Sequence, residues 1–333
     1  MTAGGNVATE LVLFGTAGAP LPVAGRRGTA SALVVDGRVF VIDCGRGAPS
    51  AFADAGLDFR HLNAVFLTHL HADHVGDLPG MLLYGWGVRA DGEGTLPPIR
   101  VYGPSRPQML PSDADGFARQ TTICPQQPAP GTTDLVGHIL AGYAYHLNVM
   151  PLDARMPDPG ALVEAADVAV TRRTANAGAV PAVVCEDGGV LVTAIAVTHG
   201  HAIPALAYRF DTPDGSVAFS GDTTVNDDLI GLARGADILV HQVADFSYLA
   251  QHGFAGADLD RVAGLHTDVT QVGAVAERAH VRELILHHYL PAEPGAISEA
   301  DWARRAGQGF AGTTTAGRDG LRRTLVRRAQ AGT

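Results

Sequence analysis

The sequence predicts an α/β fold, a four-layer αββα sandwich with an insertion, in which two packed β-sheets carry helices on their outer faces. Three observations lead there. Short β-branched runs crowd both halves of the chain, each strand-rich half runs on into helix, and a breaker-rich stretch separates the halves. With 333 residues and 46% hydrophobic content the chain can bury one large core, and 1–333 is read as a single domain.

The first half supplies ELVLF at 10–14, then SALVV at 31–35 and RVFVI at 38–42, joined as a hairpin by an Asp-Gly pair. AVFL at 64–67 is an apolar run that ends directly on a histidine-rich segment. Those histidines therefore sit on the loop leaving a buried strand, where catalytic groups collect. The second half repeats the texture with GVLVTAIAV at 189–197, ALAYRF at 205–210, SVAFSG at 216–221, ADILV at 236–240 and ELILH at 283–287. Helical periodicity marks 270–280, with Thr270 as its N-cap. Between 105 and 188 the breakers PSDADG, TTICPQQPAPGTT and RMPDPG surround one helical segment at 134–150. This region is read as an insertion, either a surface excursion or a cap over the active site.

Composition narrows the function classes. Only 17% of residues are charged, while Gly and Pro fill 41 and 20 positions, which fits a loop-rich enzyme rather than a coiled coil or disordered chain. A net charge of −10 offers no global attraction to nucleic acid, so a small-molecule substrate is preferred and nucleic acid is disfavoured as a partner. Cys44, Cys124 and Cys185 have neither disulfide-framework nor CxxC spacing. No basic leader or membrane-length apolar run occurs, so the expectation is a cytoplasmic protein with no membrane partner; oligomeric state stays open, a homodimer being one option.

The chemistry is concentrated in THLHADHVGDLPG, which places His69, His71, Asp73 and His74 within six residues after a strand. Alternate residues of an extended segment point the same way, so His69 and His71 can grip one ion, while Asp73 and His74, past the bend, face a second. Imidazole and carboxylate donors suit zinc, and an open position would bind water whose pKa falls towards about 7. Four side chains cannot complete two shells. Asp222, in FSGDT at a strand end, can bridge both ions; His199 leaves a strand in AVTHGH, with His201 as its competitor; His288 in LILHHYLP competes with His287. His199 and His288 are favoured.

His266, before the 270–280 helix, is a candidate general acid or a support for a ligand. His241 is expected to end a strand and to pack against or hydrogen-bond a ligand. His61, His138, His146, His252 and His280 have no partner pattern, and Tyr143, Tyr145, His146 and Trp86 could line an aromatic-tolerant pocket, though ordinary packing explains them better.

Together LFGTAGAP, VFVIDCGRGAPS, FLTHLHADHVGDLPGMLLYGW, VTHGHAIPALAYRF, VAFSGDT, ILVHQV and LHTDVTQVGAVAERAHVRELILHHYLP resemble the metallo-β-lactamase superfamily, more narrowly its arylsulfatase-like and ribonuclease Z-like branch. The resemblance implies a first metal on His69, His71 and His199, a second on Asp73, His74 and His288, and Asp222 bridging them. It also supports His199 over His201, because the ligand of the arylsulfatase-type motif lies five residues before the Pro of PAxxYR, here Pro204. Departures weigh against a ribonuclease. That family's Glu after the position of His241 is Gln242 here, YLPAEP replaces its Ser and Arg-Tyr signature, and only 22 residues separate His199 from Asp222, where its tRNA-gripping arm would fall. The HTPGHT-like motif of lactonases and glyoxalases is absent as well.

The resulting expectation is a hydrolase with two Zn2+ ions per chain, in which metal-bound hydroxide positioned by Asp73 attacks an ester while His266 protonates the leaving group. Sulfate ester ranks first, phosphodiester second, carboxylic ester or lactone third. An iron-dependent redox enzyme on the same scaffold and a binding module are the rivals from other classes.

Overall fold

A computed structural model describes residues 8–89, 96–107, 122–171 and 178–326. Two seven-stranded sheets are built to one plan. In the first, β1 (Glu10–Gly15), β2 (Ala30–Val35) and β3 (Arg38–Ile42) form an antiparallel meander, and β4 (Leu62–Phe66), β5 (Ile99–Pro104) and β6 (Val163–Val168) extend it in parallel. The second begins with the meander β7 (Ala182–Asp187), β8 (Val190–Val197), β9 (Ala205–Thr212) and β10 (Gly215–Phe219) and continues in parallel through β11 (Ile238–Ala244), β12 (Glu283–Leu290) and β13 (Thr313–Ala316). The last strand, β14 (Arg322–Thr324), crosses back to pair with β1.

Strands with both faces buried carry near-continuous apolar runs, as ILVHQVA of β11 does. Between the sheets lies a core that includes Phe40, Phe66, Tyr208, Phe210 and Phe219, with Phe66 stacked on Tyr102 and edge-on to Tyr208 and Phe210. A second core packs Phe52, Met81 and Trp86 against the outer face of the first sheet, and a third packs Val272, Val275 and Trp302 against the second. Helix, sheet, sheet and helix thus form the four layers expected. No helix among the described residues is long and apolar enough to cross a membrane.

Several elements differ from expectation. The 134–150 helix is two helices, Thr132–Gly142 and Ala144–Asp153, which meet at Tyr143 (φ −100°, ψ 15°) just after Gly142. The helix Val269–Ala279 is capped by Asp268, whose carboxylate accepts from Thr270 N, so Thr270 lies inside the first turn. Within 105–188, β6 and β7 each form one edge of a sheet, while 108–121, including PSDADG, and 172–177 lie outside the described residues.

Candidate active site

The two sheets meet at the end of β4. Tyr208 Oη donates to Leu67 O at 2.9 Å and Leu206 N to Thr68 O at 2.8 Å, so the segment after β4 is tied to both sheets. His71, on extended backbone (φ −68°, ψ 151°), opens a one-turn helix, Ala72–Val75, which carries Asp73 and brings the His74 ring to 4.0 Å from that of His69. Gly221 lets the loop after β10 close in behind. It sits at φ +57°, and a Cβ there would lie 2.5 Å from Leu206 O, so only glycine carries the chain to Asp222 by this route.

His199 follows β8 directly, and its ring lies 4.8 Å from that of His69. His201, its competitor, is exposed and lines a cavity instead. β11 and β12 run past the expected strand ends, so His241, Gln242 and His288 join His287 within strands. Pairing between them shifts after Gln242 and His287, which makes His288 the extra residue of a β-bulge, at φ 48°. The bulge sends the two neighbouring histidines to different places: His288 joins the cluster, and His287 Nδ1 lies 3.4 Å from Thr29 Oγ1.

Two adjacent groups result, His69 with His71 and His199, and Asp73 with His74 and His288; within each, potential donor atoms lie no more than 4.8 Å apart. These are the sets the resemblance implied. Asp222 Oδ2 stands between them, 3.1 Å from His288 Nε2, 3.5 Å from His74 Nε2 and 3.7 Å from His199 Nε2.

Hydrogen bonds facing away from the centre fix which nitrogens face inward. His199 Nδ1–H donates to Leu265 O at 2.9 Å, and His74 Nδ1–H to Asp43 Oδ2 at 2.9 Å. Thr68 Oγ1 donates to the same Asp43 oxygen at 2.9 Å, so it accepts from His69 Nδ1 at 3.1 Å. The inward Nε2 atoms of His69 and His199 therefore present lone pairs, 3.0 and 3.3 Å from His71 Nδ1. His74 Nε2 faces His288 Nε2 at 3.2 Å, amid the carboxylates of Asp73 and Asp222. Lone pairs and carboxylates turned on one another repel unless a cation lies between them, and Asp222 Oδ1 and His288 Nδ1 are buried without a hydrogen-bond partner. The residues present fit a metal pair.

The field is uneven. Burial, reinforced by His74, holds the His69 pKa well below the usual histidine range. Burial acts on His74 too, but the carboxylates of Asp43 and Asp222 outweigh it and hold that group well above the range.

His266 Nδ1–H donates to Gln242 Oε1 at 3.0 Å, and Gln242 Nε2 to Thr223 O at 2.9 Å, which fixes the amide's orientation. The His266 ring stands 5.2 Å from His199, and burial pushes its pKa down to about 4 against the pull of Asp222. His241 is buried, with Nδ1 2.6 Å from Gln242 O. His61, His138, His146, His252 and His280 are exposed and outside the cluster. Trp86 is buried with His146 at its edge, and Tyr143 and Tyr145 are exposed, so these aromatics do not form the pocket considered for them. Asp43 received no role from the sequence; its position in VFVIDCG, at the end of β3 beside β4, was the available signal.

Residues 10–86 match the family model described as Anti-Pycsar protein Apyc1, and residues 143–289 match the beta-lactamase superfamily domain. The chain is 31% identical over 308 residues to Ribonuclease Z of Mycobacterium sp. (strain KMS), covering 90% of each. The human tRNase Z short form shares the fold at a TM-score of 0.62 and 17% identity, over 95% of this chain and 99% of that one. Zn(2+)-bound PqqB from Methylobacterium extorquens does so at 0.58 and 16%, over 95% and 100%. The relatives' name puts the disfavouring of nucleic acid in doubt, because net charge says nothing of the field inside a metal site. Similarity of this extent, over this fold and this histidine and aspartate cluster, shows that the chain belongs to the metallo-β-lactamase superfamily, in its ribonuclease Z-like family, as a metal-dependent hydrolase.

Proposed function

We propose that the chain is a phosphodiesterase working with two zinc ions, one held by His69, His71 and His199, the other by Asp73, His74 and His288, with Asp222 shared. The observation that carries this reading is the convergence of inward lone pairs and carboxylates on two neighbouring points with Asp222 Oδ2 between them. Nitrogen and oxygen donors suit zinc, and a zinc-bound structure of the same fold supports that choice over iron. When bound, the ions lower the pKa of water and set positive charge against phosphoryl oxygens.

The protein's own groups do the rest. Asp73 Oδ2, 3.4 Å from His288 Nε2, is the carboxylate best placed to orient a water for attack. His266, held by Gln242 through Nδ1, keeps its other ring nitrogen for proton exchange with a leaving group. Exposed His71 leaves one side of the cluster open to substrate. Phosphodiester moves ahead of sulfate ester because the relatives across 90% of the chain are named ribonucleases.

The test combines elemental analysis with hydrolysis of bis(4-nitrophenyl) phosphate and 4-nitrophenyl sulfate by wild type and His71→Ala. Expected are about two zinc ions per chain and a diester rate that falls at least ~100-fold in the variant. Iron in place of zinc, or faster cleavage of the sulfate, would reject the proposal.

A further inference from the structure

A cavity of about 490 Å³ opens beside the cluster and shares His69 and His71 with it. Its volume lies in the range of small-ligand sites, roughly 300–1,000 Å³. Pro104, Pro128, Pro130, Ile203 and Pro204 form much of its wall; Ser105 and His201 are its polar lining besides His69 and His71, and neither Lys, Arg, Asp nor Glu is among its described lining residues. Proline offers no N–H donor and a fixed φ, so the wall is apolar and stiff. Away from the histidines and Ser105, an anionic group gains nothing there. An uncharged ring does, and the shared histidines put anything seated in the cavity within one substrate's length of the metal cluster.

The surroundings point the same way. A polynucleotide is held mainly through cations on its phosphates, yet here 24 arginines, with no lysine, are outnumbered by 34 carboxylates, for a net charge of −10. Residues between His199 and Asp222 are taken up largely by β9 and β10, which pair as a hairpin inside the second sheet and project no arm.

We infer that this cavity seats a flat apolar ester group, of nucleobase size, on a small phosphodiester, so that the substrate is a compact diester and not an RNA chain. The inference rests on the phosphodiesterase reading above. The metals take the phosphoryl group, and the proline-walled cavity selects what is attached to it. Ala129 and Ala202, also on the wall, are where added bulk would fill the space.

Calorimetric titration of zinc-loaded protein with two phosphinates that contain no P–O–C bond, methyl(phenyl)phosphinate and dimethylphosphinate, tests this without turnover. The phenyl compound should bind about 10- to 100-fold more tightly. Ala129→Trp and Ala202→Trp should each collapse that ratio, and kcat/KM for phenyl over methyl 4-nitrophenyl phosphate should show the same preference in wild type. Equal binding of the two phosphinates, or a ratio that survives both substitutions, overturns the cavity assignment and leaves the phosphodiesterase reading standing. Cleavage of a short single-stranded RNA faster than the phenyl diester overturns the small-substrate conclusion. If neither nitrophenyl diester is hydrolysed while the phenyl preference persists, the phosphodiesterase reading fails, and with it the diester half of this inference.

Discussion

Asp43 accepts from Thr68 N, Thr68 Oγ1 and His74 Nδ1, so one buried carboxylate both aligns the turn after β4 and fixes the ring that faces the second metal position. Removing it should weaken zinc binding about 10- to 100-fold, as loss of a carboxylate behind a histidine ligand generally does. Competition between Asp43→Ala and a chromophoric chelator measures this; an affinity equal to wild type would mean His74 needs no such support. Asp43 was not legible because its role is created by β3 lying parallel beside β4, a relation 25 residues long in sequence. His69, His71, Asp73 and His74 were legible because their spacing alone brings them together. The distinction between His287 and His288 was readable only in part. Alternation says that one of them faces the cluster, but the bulge that decides which is a property of pairing with β11. Gln242 was noted as a missing acid; what it does instead, accepting from His266 while anchored to Thr223, is visible only in the fold.

Strands β11 and β12 carry a cost of their own, the buried histidines His241 and His287. Burial lowers their pKa values to about 4 and about 3. An unfolded chain protonates histidine near pH 6.5, so below that pH it binds more protons than the fold does, and stability falls as pH drops from about 6.5 towards these values. The slope is about 1.4 kcal/mol per pH unit for each group. Urea midpoints of metal-free protein should therefore fall between pH 7 and pH 5, and less steeply in His287→Gln; identical slopes for the two proteins would sink the argument. Among the elements, most central strands were legible because burial on both faces writes apolar runs into the sequence; β5, IRVYGP, only partly buried at alternate positions, was missed. Edge strands were not legible. VEAADV of β6 is mostly exposed or half-buried, and TTTA of β13 and RRT of β14 are too short to declare themselves.

At the scale of the molecule, the proposed metal pair is a clasp between sheets. Four of its seven side chains follow β4 of the first sheet, and three come from β8, β10 and β12 of the second. A ligand that binds only the folded state at a thousand times its Kd adds about 4 kcal/mol, so chelation should lower the melting temperature by on the order of 10 °C. Circular dichroism melts before and after chelator treatment, with zinc added back, make the comparison. An unchanged midpoint would show that the sheets hold together without the clasp.

The division of that cluster also imposes an order in time. His74 and His288 stand 214 residues apart, so at ribosomal rates of about 5–20 residues per second the first leaves the ribosome roughly 10–40 seconds before the second. Until His199 and Asp222 follow, the nascent chain displays its densest group of imidazoles with none of the second sheet's ligands, and β1 keeps an open edge until β14 has been made. Metal captured during translation would be held by half a site. Secure loading belongs to the finished chain, after the last strand has closed the first sheet.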